Sequence, residues 1–245
     1  MPTFDPRRLN EFANERIEEF HNARLERLQK VKLNTILRRK NPYLFRAKDM
    51  QSASEMVRSL LDAYLSSSEE ELFGRNFLES LVIRVSSDAD GGRKSSAEGI
   101  DLEFDRQNTR FLVSIKSGPN WGNHSQKRRL VQNFQTAVRV LQQGDASAHV
   151  QPVLGICYGR ARTTNIDNYI KYEGQSFWHF LSGDPNLYTS LIEPVGYMAR
   201  EQNESFKKRH AVLEEDFIGE FTDDFCHPDG TIDWGRLLRF NSGNL

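Results

Sequence analysis

The chain has 245 residues, 38% of them hydrophobic and 27% charged, and its 33 basic and 34 acidic residues give a formal net charge of −1. This balance is typical of a soluble globular protein with one large domain, or with a core and a helical extension. It excludes a membrane-spanning chain, because no apolar run approaches the roughly 20 residues required, and the first ten residues lack a signal-peptide core. Two distant cysteines, Cys157 and Cys226, predict no disulfide framework or zinc site, so we expect a protein of the reducing cytoplasm.

The N-terminal third of the chain predicts helices. Apolar residues recur at helical spacing over residues 5–40, and Asn41-Pro42 ends that run. A second amphipathic helix is predicted over residues 49–66. We therefore divide the chain into a helical N-terminal region, residues 1–66, and a core with C-terminal helices, residues 67–245.

A third helix is predicted from the serines at 67 and 68 to about Val85. The serines and the glutamates at 70 and 71 resemble a capping box, and an apolar stripe follows. Glu79 lies off that stripe, which is typical of a solvated side chain. Residues 86–98 predict a polar loop, which is a mobile flap, a loop that contacts a ligand such as DNA, or a plain flexible connection.

Residues 99–116 contain two runs in which apolar and polar residues alternate around Arg106-Gln107-Asn108-Thr109, and this pattern predicts a β-hairpin. Folding the chain at that turn places Asp101 opposite Ser114, with Lys116 diagonally beside it on the same face. The other face carries only apolar side chains and is predicted to be the core face. An acid and a lysine therefore meet on one side of a sheet.

Downstream of the hairpin we expect a helix from Asn123 or Ser125 to about Gln143, then a buried strand over residues 150–158. Three basic residues lie in the first turns of the helix, where the helix dipole disfavours cations; they either meet a phosphate at the helix start or form a solvated basic face. A polar loop is predicted over residues 159–165 and a short edge strand over 166–173. Residues 186–221 and the end of the chain are predicted to be mainly helical.

An aspartate, a hairpin turn and a strand ending in lysine resemble the PD-(D/E)XK nuclease core. The flanking Gly-Ile-Asp (99–101) and Ser-Ile-Lys-Ser-Gly-Pro-Asn-Trp-Gly-Asn (114–123) are similar to PmeII-like type II restriction endonucleases, which cut palindromes with a GGNCC-type core. Weaker similarity extends to residues 73–79, 174–181 and 229–238. The resemblance implies an α/β, restriction-endonuclease-like core: a central mixed β-sheet flanked by helices, here with a helical N-terminal extension.

The resemblance implies a divalent-metal site. Phosphodiester hydrolysis needs a metal to offset charge and activate water, and hard oxygen ligands suit Mg²⁺, which Mn²⁺ is expected to replace. Asp101 and the carbonyl of Ile115 are the expected ligands, and Lys116 is expected to act on the attacking water or the phosphorane. Ser114 departs from the family pattern, which has an acid there. The site therefore needs an acid from elsewhere or works with fewer ligands. Glu79 is our first choice for that acid, followed by Glu103 and then Glu98; a binding-only relative is the alternative if none of them reaches the metal.

The expected substrate is double-stranded DNA. A palindromic site calls for a homodimer, and no membrane or nucleotide cofactor is expected, in a prokaryotic cytoplasm. Residues 1–66 are either a dimerisation or DNA-flanking arm or helices packed on their own domain. A repair or mobile-element nuclease with the same core stays open as an alternative. The residues expected to contact DNA are Ser117, Asn120, Trp121, Asn123, Lys127, Arg128, Arg129, Arg160 and Arg162.

Overall fold

The computed structural model describes residues 6–144, 149–166 and 168–243 of the chain. The chain forms two compact units, each assembled from two stretches of sequence. The first unit comprises the described residues of Met1–Glu19 and Phe73–Tyr197, and the second those of Phe20–Leu72 and Met198–Leu245. Neither unit coincides with residues 1–66 or 67–245, and the role of residues 1–66 as an arm stays a prediction.

Helices dominate both ends of the chain, and the strands lie between them. Within the described ranges, none of the helices is long and apolar enough to cross a membrane. In chain order the elements are α1 (Pro6–Lys30), α2 (Leu33–Leu37), α3 (Pro42–Ala47), α4 (Ala53–Leu72), a π-helix (Phe73–Leu78), α5 (Glu79–Asp90), β1 (Arg93–Lys94), β2 (Leu102–Arg106), β3 (Thr109–Lys116), α6 (His124–Gly144), β4 (His149–Ile156), β5 (Arg162–Ile166), β6 (Tyr169–Glu173), α7 (Gln175–Ser182), α8 (Leu187–Ser190), α9 (Ile192–Val195), α10 (Ala199–Phe225) and α11 (Trp234–Ser242).

The first unit is built on a mixed sheet with the strand order β1-β2-β3-β4-β6-β5. Strands β2 and β3 form the predicted hairpin, and its turn residues Gln107 and Asn108 have φ values of 49° and 63°. Left-handed backbone at both positions matches the twist of the strands in a two-residue turn. Strand β4 runs parallel to β3, and β6 runs parallel to β4. A parallel pair needs a crossover, and α6 provides it between β3 and β4.

Helices cover both faces of this sheet, which confirms the predicted α/β architecture. On one face Leu112 and Leu154 pack with Leu130 and Phe134 of α6. On the other face Phe180 of α7 stacks on a strand tyrosine, with ring centroids 4.5 Å apart. The prediction that only one face of the hairpin, the one without Ser114, belongs to the core is wrong, because Leu112 and Ser114 are also buried and Leu112 packs against α6.

Several predicted boundaries differ from the observed elements; the predicted loop over 86–98, for example, contains the end of α5 and strand β1. Helix α4 runs through residues 67 and 68, so no helix starts there; the Ser68 hydroxyl instead accepts a hydrogen bond from Arg27 Nη1 at 2.8 Å. The predicted loop over 159–165 contains β5, which pairs with β6 as a hairpin. All five residues of β5 are exposed, so the strand has no apolar alternation by which sequence could reveal it.

The second unit has a core of its own. Its buried residues include Met56 and Leu60 of α4, Phe217 and Phe221 of α10, and Leu237 of α11. These residues recur at intervals of three or four along their helices, which places them on one side of each helix. The amphipathic helices predicted over this part of the chain are therefore confirmed.

Truncating Phe134 tests how much the packing of α6 contributes to the sheet. The side chain of Phe134 is fully buried, so Phe134→Ala is expected to lower the free energy of unfolding by about 3–5 kcal/mol through the cavity it leaves. Val140→Ala on the same helix is the control, because Val140 is 61% exposed and should change stability by less than about 0.5 kcal/mol. Equal effects in urea unfolding would contradict this account of the core.

Candidate active site

Asp101 lies immediately before β2 and faces β3 across the hairpin. Its backbone N–H donates to the carbonyl of Val113 at 2.9 Å, which continues the hairpin register to the predicted pair of Asp101 and Ser114. Its carboxylate oxygen Oδ2 accepts hydrogen bonds from the backbone N–H of Ile115 at 2.6 Å and from Ser114 Oγ at 3.3 Å. The carboxylate is thus fixed against β3 by two donors from neighbouring residues.

Lys116 ends β3 on the same face as Asp101. Its ammonium Nζ donates to the carbonyl of Ile115 at 2.9 Å and to Ser114 Oγ at 3.3 Å. The same ammonium lies 5.5 Å from the centroid of the Trp121 ring, within the range of a cation–π contact. The side chains of Asp101 and Lys116 therefore converge, as predicted.

Ser114 joins these two charged side chains. Its hydroxyl lies 3.3 Å from both Asp101 Oδ2 and Lys116 Nζ, and the residue is only 1% exposed. Because a hydroxyl both donates and accepts, it can donate to the carboxylate while it accepts from the ammonium. We call the three residues Asp101, Ser114 and Lys116 the hairpin triad.

The glutamates that we expected to replace the missing acid each lie against a basic side chain. In the described part of the chain, no group of three or more His, Cys, Asp or Glu side chains is placed to hold a metal ion. The oxygen donors at the hairpin are the Asp101 carboxylate and the Ile115 carbonyl, a donor set that fits a Mg²⁺ ion which keeps several waters. The three glutamates are instead held in ion pairs with basic side chains: Glu79–Lys94 at 3.2 Å, Glu103–Arg93 at 2.6 Å and Glu98–Arg129 at 2.7 Å.

The hairpin triad lies at the edge of the sheet where β3, β4 and β6 end. In open α/β sheets the crevice outside the carboxyl ends of the strands is the usual ligand site. The loops that leave these strands pack closely: the N–H of Tyr158 donates to the carbonyl of Ser117 at 3.0 Å, and Gly118 lies against the Tyr158 ring. A side chain at Gly118 would overlap the ring in its present position, so glycine permits this close approach.

The structure brings most of the predicted DNA-contacting residues to this same edge. Ser117, Asn120 and Trp121 follow β3 directly, and Arg160 lies in the loop after β4. Arg162 begins β5 and is the register partner of Glu173 at the end of β6. The exposed residues Lys127, Arg128 and Arg129 occupy the first turns of α6, although Arg129 also pairs with Glu98.

Asn123 has a structural role that the sequence pattern anticipated. Its side-chain oxygen accepts from the backbone N–H groups of Ser125 and Gln126, both at 3.1 Å, and so caps α6. These two amides are therefore not free to bind a phosphate. Any anion attracted to the start of α6 would depend on the side chains of Lys127 and Arg128 instead.

The π-helix reaches the loop that follows Lys116. Gly74 lies against the side chain of Ser117, so closely that a methyl group at position 74 would overlap the Ser117 hydroxyl. A π-helix is rare, and short π-helical segments frequently occur at functional sites. The segment ends at Leu78, and Glu79 is the first residue of α5. The π-helix therefore sets the position at which the Glu79 side chain projects from the helix.

Sequence reasoning missed Glu173. This glutamate is 7% exposed, pairs with Lys171 at 2.9 Å, and shares a row of the sheet with Ile156 and Lys116. The row places it two strands from Lys116, about 10 Å away at normal strand spacing. The position of Glu173 near Lys116 follows from the pairing of β6 with β4. The sequence does not indicate that pairing, because β5 lies between these two strands in the chain.

Cys157 borders the site but has no reactive thiol. Burial raises the pKa of the Cys157 thiol to about 12, although the nearby Lys116 ammonium opposes the shift. The thiol is therefore protonated at physiological pH, and a protonated thiol is neither a good nucleophile nor a metal ligand.

Comparison with known families identifies the chain over most of its length. The family described as Type II restriction endonuclease EcoO109I matches residues 7–203. That range includes the hairpin triad, the π-helix and the whole sheet. A comparison with curated proteins gave no match.

A double-mutant cycle tests the contact between the π-helix and the loop after Lys116. Gly74→Ala is expected to lower the free energy of unfolding by about 0.5–1.5 kcal/mol, because the new methyl group forces the Ser117 hydroxyl out of its present rotamer. Removing that hydroxyl in the pair Gly74→Ala, Ser117→Ala should recover most of the loss, with Ser117→Ala alone as the reference. If the pair is as unstable as Gly74→Ala in urea unfolding, the two segments are not in contact.

Proposed function

The chain belongs to the Type II restriction endonuclease EcoO109I family, and from this premise we propose that it hydrolyses both strands of DNA at a short palindromic site in a Mg²⁺-dependent reaction. The single observation that carries the proposal is the hairpin triad, in which a carboxylate and an ammonium group converge at the carboxyl edge of a mixed sheet. The GGNCC-type core of the site rests on the similarity of residues 99–123 to the PmeII-like group.

Asp101 and the carbonyl of Ile115 would hold the metal. A bound Mg²⁺ supplies charge for the phosphorane and lowers the pKa of a water molecule, and Mn²⁺ has the same preference for oxygen ligands. Oδ2 of Asp101 already accepts two hydrogen bonds, which fix the direction of the carboxylate. The Ile115 carbonyl now accepts from Lys116, so the ammonium and a cation would share or exchange this oxygen.

Lys116 would act on the phosphate or the attacking water. An ammonium group beside a phosphodiester stabilises the negative charge that develops on the phosphorane, and it orients a water molecule by hydrogen bonding. The hydrogen bond from Nζ to Ser114 Oγ and the Trp121 ring beneath it restrict the positions that the ammonium can take.

Ser114 would orient its neighbours, and it cannot replace the charge of a carboxylate. The site therefore takes a second acid from elsewhere or works with fewer ligands. Glu79 remains our first proposal for such an acid, because the π-helix directly before it contacts the loop after Lys116. Glu103 and then Glu98 remain the alternatives. Each of these glutamates would have to leave its basic partner, which costs little at partly exposed positions.

DNA would lie along the carboxyl edge of the sheet. The loops after β3 and β4 carry Asn120 and Arg160, whose side chains suit adenine and guanine edges, and Lys127 and Arg128 would contact the backbone. A palindrome has two-fold symmetry, so we propose that two chains act together, each cutting one strand.

A catalytically inactive DNA-binding protein is the second candidate function. It is favoured by the serine at the position of the usual acid and by the ion pairs that occupy the three candidate glutamates. A repair nuclease with the same core would be distinguished by its products: it would give structure-specific nicks, whereas a restriction endonuclease gives discrete fragments.

Replacing the charged members of the hairpin triad tests the proposed active site. Asp101→Asn and Lys116→Ala should each lower the cleavage rate at least roughly 10²–10³-fold, because the charge that acts on the metal or phosphorane is lost. DNA binding, measured by fluorescence anisotropy with Ca²⁺, should persist. Asp105→Asn is the matched control: this exposed acid is on the same face of the hairpin, paired with Arg110. Normal cleavage by both triad variants would show that the site is misplaced.

Magnesium titrations identify the second acid. Glu79→Gln should raise the Mg²⁺ concentration for half-maximal cleavage by roughly tenfold or more, because the metal loses a charged ligand or its partner. Glu103→Gln and Glu98→Gln serve as matched controls with the same change of charge, and both should leave the titration unchanged. A shift in one of these controls, with none in Glu79→Gln, would transfer the role to that glutamate.

A further inference from the structure

Helix α10 of the second unit exposes one complete face. Its phenylalanines at 206, 217, 221 and 225 are buried and point into the unit. The opposite side has no cover in the described part of the chain, and its residues are spaced by three or four, so they share one face. These residues are Ser205, Lys208, Arg209, Val212, Glu215, Asp216 and Gly219, all of them exposed, and we call them the α10 face.

The charges of the α10 face are arranged symmetrically about Val212. Lys208 and Arg209 lie four and three residues before it, and Glu215 and Asp216 lie three and four residues after it. None of these four side chains forms an ion pair within the described ranges. Charged neighbours outside the face do form pairs, including Lys207 with Glu204 at 3.4 Å.

The centre of the α10 face is apolar. Val212 is 60% exposed, and beside it a groove of about 380 Å³ lies between α10 and α1. Leu28 and Gln29 of α1 form one wall of this groove, and Val212 and Leu213 form the other. The surface therefore has an apolar centre between a basic end and an acidic end.

We infer that the α10 face binds the α10 face of a second copy of this chain, with the two helices antiparallel and the two-fold axis at Val212. In that arrangement Lys208 faces Asp216 and Arg209 faces Glu215, and every contact occurs twice. Ser205 faces Gly219, so small residues allow the helices to approach to the 8–10 Å that is usual for packed helices. A parallel arrangement would instead place like charges opposite each other.

This surface fits a second copy better than an unrelated partner, because an isologous contact must be complementary to itself. The inference rests on the proposed function only in taking two chains as the active assembly, and it assigns that assembly a surface. In this arrangement the α10 face, rather than residues 1–66, forms the main contact between the two chains. Helix α1 contributes only one wall of the groove beside Val212.

Charge reversal tests the inference directly. Lys208→Glu places like charges together at two symmetric positions, and so does Asp216→Lys. Each variant should raise the dissociation constant of the dimer by roughly tenfold to a hundredfold in sedimentation equilibrium. The double variant Lys208→Glu, Asp216→Lys exchanges the partners and should recover the affinity of the unmodified chain. Lys207→Glu is the matched control, because this lysine is exposed on the same helix but lies outside the face.

The outcomes distinguish a failure of the inferred dimer surface from a failure of the proposed function. A dimer that none of the reversals weakens overturns the surface and leaves the two-chain nuclease standing. An unmodified chain that stays monomeric, with and without DNA, overturns both the surface and the two-chain part of the proposed function. A reversal that weakens the dimer without recovery in the double variant also overturns the pairing.

Cross-linking gives a second reading that does not depend on charge. In a Cys226→Ser background, copper phenanthroline should oxidise Val212→Cys chains to a disulfide-linked dimer, because residues on the axis face each other. Ala211→Cys, one residue away, should cross-link at least roughly tenfold more slowly, since adjacent residues point about 100° apart on a helix. Equal rates would overturn the inference.

Discussion

The hydroxyl of Ser114 is the point at which Asp101 and Lys116 meet, and the rest of the account depends on the register that brings them there. The two-residue turn at Gln107 and Asn108 sets that register through left-handed backbone at both positions. A slip of one residue would turn every side chain of β3 to the opposite face. Asp101 and Lys116 would then point to different sides of the sheet, and no shared chemistry would remain.

Packing holds the site in place from several directions. Helix α6 packs against Leu112 on the face that carries Ser114, Gly118 allows the loop after β3 to meet Tyr158, and Gly74 allows the π-helix to meet Ser117. The contacts of Gly118 and Gly74 both involve the few residues that follow Lys116. The chain thus combines a rigid hairpin with loops at the carboxyl edge of the sheet, a common arrangement in which binding residues lie on loops and a scaffold positions them.

Local patterns predicted the hairpin and a helix cap at Asn123 or Ser125, because each is encoded within a few consecutive residues. The mixed sheet was implied by the resemblance to the nuclease core, because its parallel pairs join distant segments. Strand β5 was missed because its exposed threonines and asparagine give no apolar alternation. The partners of Glu79, Glu103 and Glu98 were not predictable, since each ion pair joins segments brought together by the fold. The sequence predicted only that residues 186–221 are mainly helical; which side of α10 is buried, and the charge symmetry on its exposed side, come from the structure.

Mapping DNA ends tests the central claim most directly. The purified protein is incubated with Mg²⁺ and a DNA of known sequence, and the new ends are sequenced. The account predicts discrete double-strand breaks at one palindrome with a GGNCC-type core, and no breaks when EDTA removes the metal. DNA that is bound but stays intact with both Mg²⁺ and Mn²⁺ would contradict the claim that the hairpin triad is an active site.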